Sequence, residues 1–325
     1  KAKKNRKKKE LKVEVDFIDI VGQGLAKRAL TIAAAGGHNV LLYGPPGSGK
    51  TMLAKAMVGI LPELSSEEVL EVSSIYSVAG LLRDGLITTR PFRSPHHTAS
   101  AISLVGGGTH AKPGEITLAH KGVLFMDEFP EYPRSVLETL RQPLEDRVVT
   151  VARARGTHVY PAEFVLVAAQ NPCPCGYFGD TEKQCLCTPG GIAKYQKRVS
   201  GPLLDRIDLR VHVARVPYSE MKQTGVGPSS AEAKKIIEIA RKHQTKRFGI
   251  SKTNGNLSAK ELKVYCKLDQ KSEDLLDQAV KTMHFSPRQI HRLLRVARTI
   301  ADIEASADIL IEHVAEAIQY RTQTD

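Results

Sequence analysis

The sequence predicts an α/β fold, a parallel β-sheet flanked by helices, followed by an all-helical C-terminal unit. Three observations carry this expectation: an apolar run that passes through a glycine-rich loop into a helix at residues 39–60, further buried-strand signals alternating with helices up to residue 213, and purely helical periodicity after residue 230. The 325 residues are long enough for about two domains. Hydrophobic residues at 42% and charged residues at 25% suit a globular protein and exclude a disordered chain. No stretch approaches the ~18 uncharged apolar residues of a membrane span. The basic N-terminus lacks the apolar stretch of a signal peptide, so a cytoplasmic location and no membrane partner are expected.

Taken in order, residues 1–12 hold eight Lys and Arg against Glu10 alone and read as a basic tail or linker. Much of the formal net charge of +12 sits there, so the isoelectric point by itself says little about partners. The chain starts without Met inside this run, which reads as a fragment whose preceding domain is missing. A core domain is expected over residues 13–218. It contains an alanine-rich helix at 26–35, a buried strand at 39–43, a helix at 50–60, strands at 123–126 and 164–169, and a weaker strand at 209–213. From residue 219 to 230 the chain turns polar, and residues 219–325 read as a helical linker and lid. Helices are expected at 231–247, 258–266, 272–283, 287–304 and 309–320. In the fourth, Ile290, Leu293, Leu294, Ala297 and Ala301 form one apolar face.

The chemistry begins at Gly44-Pro45-Pro46-Gly47-Ser48-Gly49-Lys50-Thr51, which fits G-x-x-x-x-G-K-[ST] between a buried strand and a helix. Glycines let backbone amides turn toward phosphates, and the helix N-terminus adds positive potential. Lys50 is expected to reach the outer phosphates of ATP and Thr51 to ligate Mg²⁺. Such a loop needs a carboxylate from a neighbouring strand, and the strand at 123–126 ends in Asp127 and Glu128. Asp127 suits the Mg²⁺ side, and Glu128 suits orienting or activating the attacking water. The strand at 164–169 ends in Gln170-Asn171, where the Asn171 amide can position the same water.

Two further segments stand out. Residues 147–160 alternate around Gly156 and predict a β-hairpin that carries Arg153 and Arg155. Four of the five cysteines fall in Cys173-Pro-Cys175 and Cys185-Leu-Cys187. Four thiolates can close a tetrahedral zinc site, whereas spacing tighter than C-x-x-C leaves reduced free thiols as the alternative. Cys266 reads as a small buried apolar residue.

With Gly201-Pro-Leu-Leu-Asp205-Arg206-Ile-Asp208 added, these residues resemble an AAA+ ATPase of the magnesium-chelatase-like branch. Arg90-Pro-Phe-Arg93-Ser-Pro-His96-His97, Pro113-Gly-Glu-Ile, Leu118-Ala-His120 and Asn171-Pro-Cys-Pro-Cys-Gly176 are similar to ComM/YifB-type competence helicases, over residues 16–321. The resemblance implies a ring, usually a hexamer, with ATP and Mg²⁺ at subunit interfaces. It also implies an N-terminal Lon-protease-like domain, missing here. It makes Arg206 an arginine finger, against the ordinary alternative of a pair with Asp205 or Asp208. It makes Arg288 the sensor-2 arginine of the helical lid, while Arg292, Arg295 and Arg298 read as a solvated basic face. The hairpin resembles a pore hairpin that brings Arg153 and Arg155 to DNA phosphates, and the insert at 86–98, with Arg90, Arg93, His96 and His97, resembles a second pore loop. A structural hairpin with solvated arginines is the alternative. A metal pair at His96 and His97 is disfavoured, because adjacent strand residues point apart.

The function implied is an ATP-hydrolysing ring motor on single-stranded or branched DNA, a branch-migration helicase of natural transformation and recombination. Two other readings are a chelatase-type subunit driving metal insertion into a tetrapyrrole and a protein-remodelling ATPase.

Overall fold

The computed structural model describes residues 15–82, 85–108, 111–153, 156–180, 182–221, 227–249 and 252–322. Nine strands are described: β1 (Val40–Tyr43), β2 (Phe92–Arg93), β3 (Gly106–Gly107), β4 (Lys112–Pro113), β5 (Val123–Met126), β6 (Val148–Arg153), β7 (Gly156–Pro161), β8 (Val165–Gln170) and β9 (Leu209–His212). Five of them form one sheet in the order β2-β5-β8-β1-β9, and every pair is parallel. The other four make two antiparallel hairpins, β3 with β4 and β6 with β7.

The central strands are apolar throughout because both sheet faces are covered. Alternation sends Val40, Leu42, Phe125, Val167 and Val211 into one core and Leu41, Leu124, Met126, Leu166 and Ala168 into another. The first core is roofed by the helices Gly24–Gly36, Lys50–Ile60, Ser230–Phe248 and Pro287–Ile303. Alanines at 29, 33, 34 and 35 are fully buried and let the first of these helices pack closely. On the second face, Phe129, Tyr132, Leu137 and Leu140 pack with Val149 and Val151 of the β6–β7 hairpin.

The strands and helices lie where periodicity puts them, with ends shifted by a residue or two. Periodicity does not mark the helix Ser66–Val78, because Leu70 and Val78 are exposed and its apolar side is short. Its N-terminus is nonetheless set locally, by a capping box between Ser65 and Glu68. The C-terminal helices share the first core: Ala233, Ile237, Leu293 and Val296 pack with Ala29, Val40 and Leu42. Arg292 Nη1 donates to Arg206 O at 3.0 Å and Arg321 Nη1 to Ile207 O at 2.9 Å. The helical unit is therefore fastened to the chain just before β9, at the N-terminal edge of the sheet.

This docking corrects the expectation of a solvated basic face. Arg292 and Arg298 are buried, the first paired with Asp208 at 2.7 Å and the second with Asp302 at 3.0 Å, and Arg295 is half-buried. Helical spacing cannot distinguish a face that meets water from one that meets a second polar layer.

Candidate ATP site and its surroundings

The loop between β1 and the helix Lys50–Ile60 lies at the C-terminal edge of the sheet. Gly47 and Gly49 have φ of +75° and +95°, a left-handed backbone that side chains disfavour. Lys50 is buried, and its Nζ donates to Gly44 O at 2.8 Å, Pro45 O at 2.9 Å and Asn171 Oδ1 at 3.3 Å. Burial pulls the ammonium down to about 8, against the opposing charge of Asp127. Thr51 Oγ1 donates to Asp127 Oδ2 at 2.9 Å. A hydroxyl beside a carboxylate, next to a glycine loop with a lysine, is a hard-oxygen donor set that fits Mg²⁺ on a phosphate chain.

Strand order refines one expectation. The acid-bearing strand β5 is not the neighbour of β1, because β8 lies between them. Asn171, one residue past β8, thus stands between the loop and the acids and touches Lys50. Glu128 follows Asp127 with φ +51°, and its Oε2 lies 2.9 Å from Nδ1 of His97. Sequence reasoning missed this pair. The rings of His96 and His97 have centroids 4.1 Å apart, so the two do not point apart as strand residues would: β2 has ended at Arg93.

Arg206 and Arg288 occupy the other edge of the sheet. Both bond the same carboxylate, Arg206 through Oε2 of Glu145 and Arg288 through Oε1 at 2.6 Å. Neither Asp205 nor Asp208 pairs with Arg206: Asp205 accepts from Gln289 at 3.2 Å, and Asp208 pairs with Arg292. Since β1 and β9 run in parallel, Arg206 before β9 and the loop after β1 lie toward opposite edges of the sheet. Arg288 is exposed at the start of its helix and pairs with Glu145.

The insert arginines are engaged internally. Arg90 donates to Pro62 O at 2.5 Å and Lys121 O at 2.7 Å and pairs with Glu68 at 3.1 Å, and Arg93 forks onto Glu115 at 2.6 and 2.7 Å. Both arginines thus brace the insert, which spacing could not reveal. The hairpin forms with Arg153 opposite Gly156, and the first four residues of β7 are exposed. Arg155, the side chain of Arg153 and the basic tail at residues 1–12 lie outside the described residues.

The cysteine cluster assembles. The sulfurs of Cys173, Cys175, Cys185 and Cys187 all lie within 4.8 Å of one another. Phe178 N donates to Cys173 Sγ at 3.3 Å and Cys187 N to Cys185 Sγ at 3.4 Å. Backbone N–H groups of Tyr177 and Leu186 pull the Cys175 thiol down, while, against a backbone hydrogen bond at each, desolvation and the neighbouring thiols push Cys185 and Cys187 up. Four sulfurs with such donors fit a tetrahedral zinc site. The loop also abuts the phosphate loop, for a Cβ on Gly176 would stand 2.7 Å from the Pro46 ring.

Comparison with known proteins agrees with this geometry. The family profile described as magnesium chelatase, subunit ChlI, matches residues 16–221, and the profile of the ChlI C-terminal region matches residues 227–321. The chain is 47% identical over 309 residues to competence protein ComM of Haemophilus influenzae, and 46% identical over 308 residues to the uncharacterized protein YifB of Escherichia coli. Each alignment covers 94% of this chain and 60% of the relative, so the chain spans about three-fifths of their length. The magnesium-chelatase 67 kDa subunit of Chlorobaculum parvum is 30% identical over 164 residues, 49% of this chain and 23% of that one. Among the described residues, no helix is long and apolar enough to cross a membrane.

Proposed function

From the premise that this chain belongs to the magnesium chelatase ChlI family of AAA+ ATPases, we propose that it is an ATP-hydrolysing ring motor acting on DNA, a branch-migration helicase of natural transformation and recombination. The observation that carries the ATPase part is the convergence of Lys50, Thr51, Asp127 and Asn171 at one sheet edge, while Arg206 and Arg288 share Glu145 at the other. A chain whose Arg206 and Arg288 lie at the sheet edge opposite its own loop can complete the site of a neighbour, which supports a closed ring, usually hexameric. The DNA part is supported by the similarity to a competence protein over 94% of the chain and by the exposed first four residues of β7 in the β6–β7 hairpin.

ATP would supply the γ-phosphoryl group, which passes to water as its bond to the ADP oxygen breaks and ADP leaves, and Mg²⁺ held by Thr51 and Asp127 would offset the phosphate charge. Lys50 exchanges its bonds to Gly44 O and Pro45 O for phosphate oxygens, and Thr51 and Asp127 hold the metal side. Glu128, once turned from His97, accepts a proton from the attacking water, and Asn171 orients that water. Arg206 and Arg288, released from Glu145, meet the developing charge in the adjacent subunit. Zinc on the four cysteines would hold the Cys173–Cys187 loop against Pro46 and so keep Asn171 aimed.

ATP hydrolysis measured with and without single-stranded or branched DNA tests the reading. Stimulation of several-fold is expected, and Arg153 and Arg155 changed together to Ala should abolish it while sparing basal turnover. Absence of stimulation would remove DNA as the substrate and leave the chelatase-type reading, which the 30% identity to a chelatase subunit supports, or the protein-remodelling one.

A further inference from the structure

At the N-terminal edge of the sheet, between the core and the helical unit, lies a cavity of about 600 Å³. One wall is a single face of the helix Pro287–Ile303, where Arg288, His291, Arg292 and Arg295 recur at helical spacing. Arg147, just before β6, and Arg241, on the helix Ser230–Phe248, line other sides.

The carboxylates around this cavity are already committed. Glu68 pairs with Arg90, Glu163 with Lys121, Asp208 with Arg292, and Glu145 with both Arg206 and Arg288. Among the described residues, Arg147, Arg241 and Arg295 have no carboxylate within ion-pair distance. Each gives one bond to a backbone carbonyl instead: Gly255 at 3.2 Å, Ala34 at 2.8 Å and Leu257 at 2.5 Å. Asp146 at the rim is exposed and forms no ion pair there. The Nε–H groups of Arg241, Arg292 and Arg295 are buried without an acceptor. Burial holds Arg147, Arg241 and Arg295 below the ordinary arginine range, Arg241 down to about 10.

Partly buried guanidiniums without an ion-pair partner, near but not touching Glu68, Glu163 and Asp208, and orphaned buried donors are both costly, and an anion relieves both at once. A single carboxylate cannot meet three guanidinium forks, whereas a chain of phosphates offers several pairs of oxygens at the spacing the forks prefer. The volume is that of a small-molecule site. We infer that this cavity, around Arg147, Arg241 and Arg295, the last about two helical turns from the Arg288 assigned to a neighbour's ATP, is a binding site for a small polyphosphate anion distinct from the ATP held at the phosphate loop. Free nucleotide or inorganic polyphosphate can supply that chemistry.

The test uses the full chain carrying Lys50→Ala, which disables the phosphate loop, titrated with tripolyphosphate and separately with ADP. The expected result is tripolyphosphate binding near one per chain and a raised melting temperature. In that background, Arg147→Gln with Arg295→Gln should weaken binding at least about tenfold, since charge-assisted bonds are lost. Arg147→Lys with Arg295→Lys keeps the charge without the fork and should fall between; circular dichroism without ligand checks each fold, and the Lys pair carries the test if the Gln pair does not fold. ADP binding with the same arginine dependence identifies a nucleotide as the source, and tripolyphosphate binding alone identifies the phosphate chain. No binding by the Lys50→Ala chain overturns the inference, as does binding that both arginine pairs leave unchanged, which is what the basic tail would give. Either failure leaves the proposed motor intact, because that is read by DNA-stimulated hydrolysis.

Discussion

At the scale of single residues, Lys50 and Glu128 separate binding from chemistry. Lys50→Ala removes the cation that the loop carbonyls hold in place, so ATP affinity should fall steeply in a direct binding assay. Glu128→Gln keeps the loop and its metal side intact and should bind ATP while losing turnover. His97 adds a prediction that no sequence motif suggests. Its Nδ1 lies 2.9 Å from the Glu128 carboxylate and competes with the water that Glu128 must engage. A partly exposed pair of this kind is worth about 0.5–1 kcal/mol, so His97→Ala should raise DNA-independent hydrolysis about two- to fivefold. A fall in phosphate release would show that His97 supports Glu128 instead of restraining it.

At the scale of elements, the Cys173–Cys187 loop joins a four-cysteine cluster to the phosphate loop. Asn171 precedes the first cysteine by two residues, and Gly176 packs on Pro46. Protein purified under reducing conditions should carry about one zinc per chain by elemental analysis. Cys185→Ser should lose that zinc and melt at lower temperature, with ATP turnover falling only after stability does. Protein without metal under those conditions would leave four reduced thiols. The loop's place was legible in the sequence, since the Cys pairs follow Asn171 directly. Its contact with the phosphate loop was not, because Pro46 and Gly176 are brought together only by the adjacency of β1 and β8.

At the scale of the whole molecule, the sheet divides the residues proposed to act on ATP. Lys50, Thr51, Asp127 and Asn171 lie at one edge, Arg206 and Arg288 at the other. A chain with Arg206→Ala keeps its own loop, and a chain with Lys50→Ala keeps its own arginine. Mixed together, they should form composite sites and recover ATPase activity, and Arg288→Ala should complement Lys50→Ala in the same way. A finger worth about 10³-fold in rate makes recovery easy to detect. No recovery in rings shown to be mixed would place both arginines outside the neighbour's site.

The sequence by itself determined what neighbouring residues encode. The run from β1 through Gly44–Thr51 into its helix, the acids after β5 and the amide after β8 are local patterns in which backbone geometry and chemistry coincide. Tertiary structure alone decided which edge each cation faces and which charges are buried. Arg206 meets a glutamate 61 residues away and Arg292 an aspartate 84 residues away. Arg90 and Arg93, alike in sequence to phosphate ligands, are spent on Glu68 and Glu115. The physical reason is that an arginine's role depends on the carboxylate that strand order and helix docking bring beside it. No spacing along the chain records that partner.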